Sequence, residues 1–329
     1  MKTMVLAIGG NSLVRPGERG TTGEQIANAR HIAAQVVRLI CDGYHIVLTH
    51  GNGPQVGAEL LLSERAAGQV PGHPLDVCDA STQGEMGYLL QQALSTEIKL
   101  AGVHVPVVTL VTQCLVSLDD PAMCLPTKPV GPFYTEAEAE RRSRQFGWRI
   151  VEDAHRGYRR VVPSPRPLEI LELEAIQHLV QFGALVIACG GGGIPVAWVN
   201  DRLVGVEAVI DKDLASALLA SKLGAEFFVI GTDTDYVYLN YKKPSQQALR
   251  CISSARLAKY ARAGHFPPGS MGPKIEAVLE FLKCGGKEAI ITSCSHLCEA
   301  VEGTGGTHVV PGREALRPEV SDEVGLVTQ

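Results

Sequence analysis

Two lysines stand where helix electrostatics disfavours them. Lys212, in Asp211-Lys212-Asp213, and Lys274, in Gly269-Ser270-Met271-Gly272-Pro273-Lys274, each fall in the first turn of a predicted helix. A cation there opposes the helix dipole at a cost of up to about 1 kcal/mol, and an anion bound between the two would reverse the sign. Asp211 reads most simply as the cap of its helix. Lys128 lies in the proline-stiffened Pro126-Thr127-Lys128-Pro129-Val130-Gly131-Pro132, where a solvated surface lysine is the ordinary reading. Three glycine-rich turns accompany these lysines: Gly9-Gly10-Asn11, His50-Gly51-Asn52-Gly53-Pro54, and Gly190-Gly191-Gly192-Gly193-Ile194-Pro195. Each follows a predicted strand. Backbone N–H groups in such turns, with a helix N-terminus behind them, bind anions, and glycine lets a ligand approach the backbone closely. One Gly-Gly pair is an ordinary tight turn. A run of four glycines is conformationally costly, and three such turns at one end of a sheet point to a phosphate- or carboxylate-bearing ligand.

The chemistry narrows by what is missing. The P-loop pattern G-x-x-x-x-G-K-[ST] is absent. No G-x-G-x-x-G follows the first strand, and the second turn, Gly51-x-Gly53-x-x-x-Gly57, is one residue too long for it. The protein-kinase H-R-D and D-F-G signatures and the G-x-S-x-G serine elbow are also missing. Hydride transfer, Walker-type hydrolysis and serine hydrolysis all lose ground. A formal charge of −5 gives no basic face for nucleic acid. No apolar run approaches the roughly 20 residues that span a bilayer, so no membrane partner is expected. The opening MKTMVLAIGGN reads as a buried strand rather than a secretion signal, because its apolar part is short and ends in Gly-Gly-Asn. Nine cysteines without a framework spacing suit a reducing compartment, hence the cytoplasm. Cys294 and Cys298 flank His296, but no second ligand pair of matching spacing supports zinc there.

The elements that must position these residues alternate regularly. Strands are predicted over Met4–Ile8, His45–Thr49, Val105–Val111, Ala184–Ala188, Phe227–Ile230 and Ala289–Thr292. Helices are predicted over Thr22–Cys41, Gly84–Leu100, Glu172–Phe182, Leu214–Lys222 and Pro273–Leu282. Thr21 and Glu24 can form a capping box, and Gly43 and Gly102 suit helix ends. Strands that read as continuous apolar runs between helices are buried on both faces. The fold class is therefore α/β, a mostly parallel sheet between helical layers. Its ligand site belongs at the carboxyl ends of the strands. Residues 117–164 break the rhythm with prolines and the charged Glu136–Arg144, and read as a small inserted subdomain. The pattern restarts at Lys222–Glu226, a plausible seam between two lobes.

With these motifs in place, the sequence resembles the carbamate kinases of the amino acid kinase family. The resemblance rests on Ala7–Asn11, His50–Gly57, Thr82-Gln83-Gly84, Pro126–Pro132, Val161–Pro165, Gly190–Pro195, Gly205–Asp213 and Pro268–Lys274. Related amino acid kinases carry a phosphate-binding lysine at the position of Ala7, and here its charge would come from Lys212 instead, as in carbamate kinases. The resemblance implies a three-layer α/β/α sandwich forming one domain over residues 1–329. A carbamate or carbamoyl phosphate lobe (1–225) would include the protruding subdomain 117–164, followed by a nucleotide lobe (226–329). It also implies a homodimer, and Mg2+ carried by ATP or ADP without protein ligands. The implied reaction is ADP + carbamoyl phosphate ⇌ ATP + carbamate, as used in arginine, agmatine or purine breakdown.

Implied roles follow residue by residue. Gly9, Gly10, Asn11, Gly51, Asn52 and Gly53 would hold the carbamoyl end through N–H and amide donors. Lys212 would bridge the transferring phosphoryl group, Lys274 would bind the nucleotide's terminal phosphates, and Asp213 would orient the lysines. Lys128 would reach in from the subdomain. Gly191, Gly192 and Gly193 would let the chain pass close to the phosphates, and Asp233, Tyr241 and Met271 are candidates for the nucleoside. Two departures stand out: Gly231 replaces an expected hydrophobic residue, and Cys294–Thr307 is long and rich in Cys and Gly. The alternatives are another amino acid kinase acting on a carboxylate, or a nucleotide-binding homologue without catalysis. The four intact residues Lys128, Lys212, Asp213 and Lys274 speak against the second.

Overall fold

The computed structural model describes residues 2–15, 17–152 and 157–312. Residues 313–329 of the expected nucleotide lobe and the short stretch 153–156 within the expected subdomain lie outside them. Eight strands form the main sheet. From edge to edge they are Cys251–Ser253, Thr307–Val310, Glu288–Ser293, Phe227–Thr232, Lys2–Ile8, Tyr44–His50, Leu185–Ile187 and Val107–Thr109. The six from Glu288–Ser293 to Val107–Thr109 are parallel. Thr307–Val310 and Cys251–Ser253 run against them.

The first strand explains the layering. Met4, Leu6 and Ile8 enter one core together with Ala29, Ile32, Val36, Met86, Leu90 and Leu94 of two helices. Val5 and Ala7 enter the other, against Ala217, Ala220, Ile275, Val278 and Phe281. Alternate residues thus face opposite helical layers, which is why the strands read as unbroken apolar runs. The expected three-layer α/β/α class holds. The capping box forms, with Thr21 Oγ1 accepting from Glu24 N and Glu24 Oε2 accepting from Thr21 N. The sheet is continuous across residue 226, since Phe227–Thr232 pairs directly with Lys2–Ile8.

Three elements differ from expectation. The helix predicted from Gly84 begins at Leu75 and ends at Leu100. Its first turns carry the buried polar residues Asp79, Thr82 and Gln83, so the apolar period is legible only from Met86. A helix over Gly53–Ala66 follows the second glycine turn, with Pro54 in its first turn. The strand expected over Val105–Val111 pairs only at Val107–Thr109. Within residues 117–164, Lys128–Tyr134, Tyr158–Val162 and Ile150–Glu152 build a separate antiparallel sheet. The charged run Glu136–Arg144 lies in a helix, Glu136–Phe146, with its own Thr135/Glu138 capping box and Gly147 at φ 69° as its left-handed end.

Candidate active site

The first two glycine turns leave adjacent parallel strands and lock together. A Cβ on Gly51 would lie 2.7 Å from Gly10 N, and one on Gly10 would lie 3.2 Å from Gly51 C. Only glycine allows this backbone-on-backbone approach. Gly51 N donates to Ile8 O (2.9 Å), and Gly9 N donates to Gly231 O (3.2 Å). Gly9 therefore spends its N–H on the sheet and contributes the turn itself. Gly10 and Asn11 open a short helix, and Gly53 opens a longer one. Both helix starts lie at the strand ends, where an α/β sheet binds anions.

The four-glycine run closes this floor, and the structure gives each glycine a reason. A Cβ on Gly190 would lie 2.6 Å from the His50 ring, on Gly191 2.6 Å from Asp79 Oδ1, on Gly192 2.6 Å from Ile210 O, and on Gly193 2.8 Å from Cys114 Cβ. Gly191, Gly192 and Gly193 also have φ of 69°, 105° and 89°. Gly192 and Gly193 donate their N–H groups to Cys189 O and Gly190 O, both at 3.0 Å. Their conformation thus wraps the chain around protein groups, and these two donors are satisfied internally. Gln83 fastens the run: its Nε2 donates to Gly190 O (2.8 Å) and Thr112 O (3.1 Å), and its Oε1 accepts from Thr112 N (2.8 Å).

Lys212 and Lys274 meet on one carboxylate, and Lys128 is paired with a neighbouring one rather than free in solvent. Lys212 Nζ donates to Asp213 Oδ1 (2.6 Å), and Lys274 Nζ donates to Asp213 Oδ2 (2.9 Å). Lys128 Nζ, from the separate sheet, donates to Asp211 Oδ2 (2.8 Å). Asp211 meanwhile caps the helix Lys212–Leu223 through Oδ1, which accepts from Asp213 N (3.0 Å). One carboxylate thus serves as both cap and lysine partner, a second role that the cap reading alone does not reveal. The Lys212 stem lies over the glycine floor, its Cδ 3.5 Å from where a Gly51 Cβ would be. Ser216 Oγ donates to Lys212 O and pairs with Thr49 Oγ1, both at 2.6 Å, which fixes the helix start on the second strand.

Burial would push the Asp213 carboxyl up, but Lys212 and Lys274 outweigh it and hold the group well below the carboxylate range. Burial and the neighbouring Lys274 charge lower Lys212, against the pull of Asp213. Burial also works to lower Lys274, yet Asp213 overcomes it and the ammonium is held above its ordinary value. Three ammoniums face two carboxylates, and an arriving phosphate can take over lysine hydrogen bonds without any group changing protonation. Burial, opposed by the Gly51 hydrogen bond and helped by the Lys212 charge, drives His50 down to about 4, so it is neutral here.

Asn52 does not offer amide donors. Its Nδ2 donates to Thr82 Oγ1 (2.8 Å) and to an oxygen of Asp79. Asp79, Thr82, Gln83 and His50 are site residues that periodicity could not single out. Asp233 is exposed beyond the end of Phe227–Thr232, and its charge reaches Lys274. Met271 begins the helix that carries Lys274. Tyr241 is exposed and stacks on Tyr238 (centroids 5.7 Å apart). The two departures from the family pattern touch. A Cβ on Gly231 would meet Cys294 Sγ at 2.5 Å, and Cys294 Sγ lies 3.0 Å from Ser12 Oγ. The small residue at 231 therefore matches the sulfur at 294. Among the described residues, no cluster of His, Cys, Asp and Glu could hold a metal ion, and no helix is long and apolar enough to cross a membrane.

Residues 2–293 match the model of the amino acid kinase family. The chain is 48% identical over 315 residues to carbamate kinase of Thermococcus kodakarensis, covering 94% of this chain and 99% of that one. It is 45% identical over 312 residues to carbamate kinase of Clostridium perfringens, covering 93% and 99%. Among solved structures, carbamate kinase from Giardia lamblia bound to AMP-PNP superposes with a TM-score of 0.89 at 44% identity, covering 94% and 99%.

Proposed function

Because the chain belongs to the amino acid kinase family, and within it to the carbamate kinases, we propose how its own residues carry out ADP + carbamoyl phosphate ⇌ ATP + carbamate. The observation that supports the assignment is the gathering of Lys212 and Lys274 on Asp213, with Lys128 on Asp211, above the locked Gly10–Gly51 floor. Phosphoryl transfer passes through a loose, metaphosphate-like transition state, so catalysis is mainly positioning and positive charge. The carbamate oxygen, already anionic, attacks the terminal phosphorus of ATP as the bond to ADP breaks. No general base is required. Lys212 spans the transferring group, and Lys274 holds the nucleotide's terminal phosphates. Asp213 keeps the two ammoniums apart and aimed until the phosphates arrive. Lys128 completes the charge from the inserted subdomain. The N–H groups at the helix starts Gly10-Asn11 and Gly53 receive the acyl end, next to Gly51 and Asn52.

On this reading residues 1–225 serve the acyl side and residues 226–329 the nucleotide, with Asp233, Tyr241 and Met271 as the candidates for its nucleoside. Mg2+ fits as an ion carried by the nucleotide. Asp211 and Asp213 are committed to lysines, so the nucleotide's phosphate oxygens would hold the ion. When bound it supplies neutralising charge along the phosphate chain. The active form proposed is a cytoplasmic homodimer, and light scattering of the purified protein reads its dimeric mass directly. The alternative of an acceptor other than carbamate is not favoured by the relatives. The decisive experiment mixes protein, Mg2+, ADP and carbamoyl phosphate and measures ATP by luminescence. ATP formation is expected, and its absence with folded protein overturns the assignment.

A further inference from the structure

Thr82 settles which way the Asn52 carboxamide faces. The Thr82 hydroxyl donates its hydrogen to Asp79 O (2.8 Å), so toward Asn52 (2.8 Å) its oxygen can only accept. Asn52 must therefore present Nδ2 there. The second Nδ2 hydrogen goes to the Asp79 carboxyl, which is almost fully buried. Gly191 closes over this end, since any Cβ on it would run into Asn52 Nδ2 and come within 2.6 Å of Asp79 Oδ1. Both donors of the carboxamide are spent and walled in by protein. The oxygen is not. Asn52 Oδ1 accepts no hydrogen bond from the described residues, and it is absent from their enclosed, unpartnered polar atoms. It is thus the one polar atom this side chain can give a ligand, on the residue between Gly51 and Gly53 whose backbone N lies 3.3 Å from where a Gly10 Cβ would be.

We propose that Asn52 Oδ1 accepts a hydrogen bond from the amino group of carbamate and carbamoyl phosphate, and that Asp79 and Thr82 are positioning residues that hold the oxygen in place. The inference rests on the assignment of the preceding section. It adds the atom that reads the acyl group. An acetyl group has the same shape but puts a methyl where the N–H must be, and would leave the oxygen unpaired. A site built to bond a substrate N–H rejects the analogue that lacks it far more strongly than an apolar pocket rejects a missing methylene. Bicarbonate offers a hydroxyl hydrogen at the same place, so discrimination is expected against acetyl groups and not through this contact against bicarbonate.

The test compares carbamoyl phosphate with acetyl phosphate as donors to ADP, in wild type, Thr82→Val and Thr82→Ser. Wild type should prefer carbamoyl phosphate by about 100-fold or more in kcat/KM. Thr82→Val removes one of the two acceptors that demand Nδ2, so the carboxamide is held by Asp79 alone and its orientation loosens. The preference should shrink by about 10-fold, mostly through KM for carbamoyl phosphate, with KM for ADP unchanged. Thr82→Ser should restore it. A Thr82→Val enzyme that slows equally on both donors, keeping the ratio, overturns the proposal. So does a wild type that uses acetyl phosphate within about 3-fold of carbamoyl phosphate, a measurement that needs no variant. If folded wild type makes no ATP from carbamoyl phosphate at all, the assignment itself fails, which is a separate result.

Discussion

Asp213 and Asp211 stand two residues apart at one helix start, yet they gather lysines from different kinds of scaffold. Asp213 holds Lys212 from its own helix and Lys274 from a helix packed on the same core, and all three side chains are mostly buried. Asp211 holds Lys128, whose side chain is 38% exposed and which comes from the separate antiparallel sheet. That sheet is joined to the body by a small apolar cluster, Val130 and Val162 against Val56, Leu60 and Leu75. Polar links add to it: Arg142 and Tyr134 both bond Glu64, and Arg160 pairs with Glu207. Two charges are thus fixed by the main core, and one comes from a separate sheet tied to the body by a small apolar cluster and a few polar links. The core-held pair suits the chemical step, where placement must not vary. The delivered charge suits capture and closure.

Removing a core-held lysine should hurt most. Lys212→Ala is expected to lower kcat by about 10²- to 10³-fold, since one donor aimed at the transferring group is lost. Steady-state ATP formation checks it, and wild-type turnover would break the comparison at its stronger end. Lys274→Met should cost about 10²-fold, with a larger share in KM for ADP, because its proposed contact is to the nucleotide's own phosphates. Next in size is Lys128→Ala, expected to lower kcat/KM for carbamoyl phosphate by about 10-fold. Its melting temperature should stay within about 2 °C of wild type, because an ion pair this exposed contributes little to stability. A Lys128→Ala loss in kcat as deep as that of Lys212→Ala would erase the distinction between fixed and delivered charge.

How much of this was legible in the sequence follows the same division. Lys212 and Lys274 announced themselves by standing against a helix dipole, a local signal that needs no tertiary knowledge. The glycine turns were legible as an anion floor, but the reasons for Gly191, Gly192 and Gly193 were not. Those reasons are Asn52, Asp79, Ile210 and Cys114, neighbours brought together only by the fold. Asp79 went unnamed, and Thr82 entered only within a family motif and without a role, because a polar stretch before Met86 shows no apolar period and its side chains are buried partners only in the fold. Asp211 was hidden by its own sufficiency as a cap. The match between Gly231 and Cys294 joins two strand ends far apart in the chain, and the sequence presents them as two unrelated oddities. The subdomain was legible as an interruption, while the pairing of its strands, set by cross-strand contacts rather than by an apolar period, was not.

The smallest expected effect concerns the floor alone and appears as a pH dependence of stability. Burial pushes the Asp79 carboxyl up to about 7, the Asn52 hydrogen bond works against that rise, and the nearby Asp76 charge adds to it. An acid raised in the folded state binds its proton more tightly there than in the unfolded chain. Its contribution to stability is therefore complete below about 4 and is lost as pH climbs through 7. Asp213 has the opposite sign, its contribution being present above the usual carboxylate range and lost only in strong acid. Between pH 5 and 8.5 only the first of these two should move. Wild type should lose about 2–5 °C more in melting temperature across that window than Asp79→Asn, which has no proton to give up. Lys128→Ala, altering only the delivered charge, should follow the wild-type slope. Parallel slopes for wild type and Asp79→Asn would mean that the floor carboxyl is ionised throughout, with the carboxylate solvated or paired better than its burial allows.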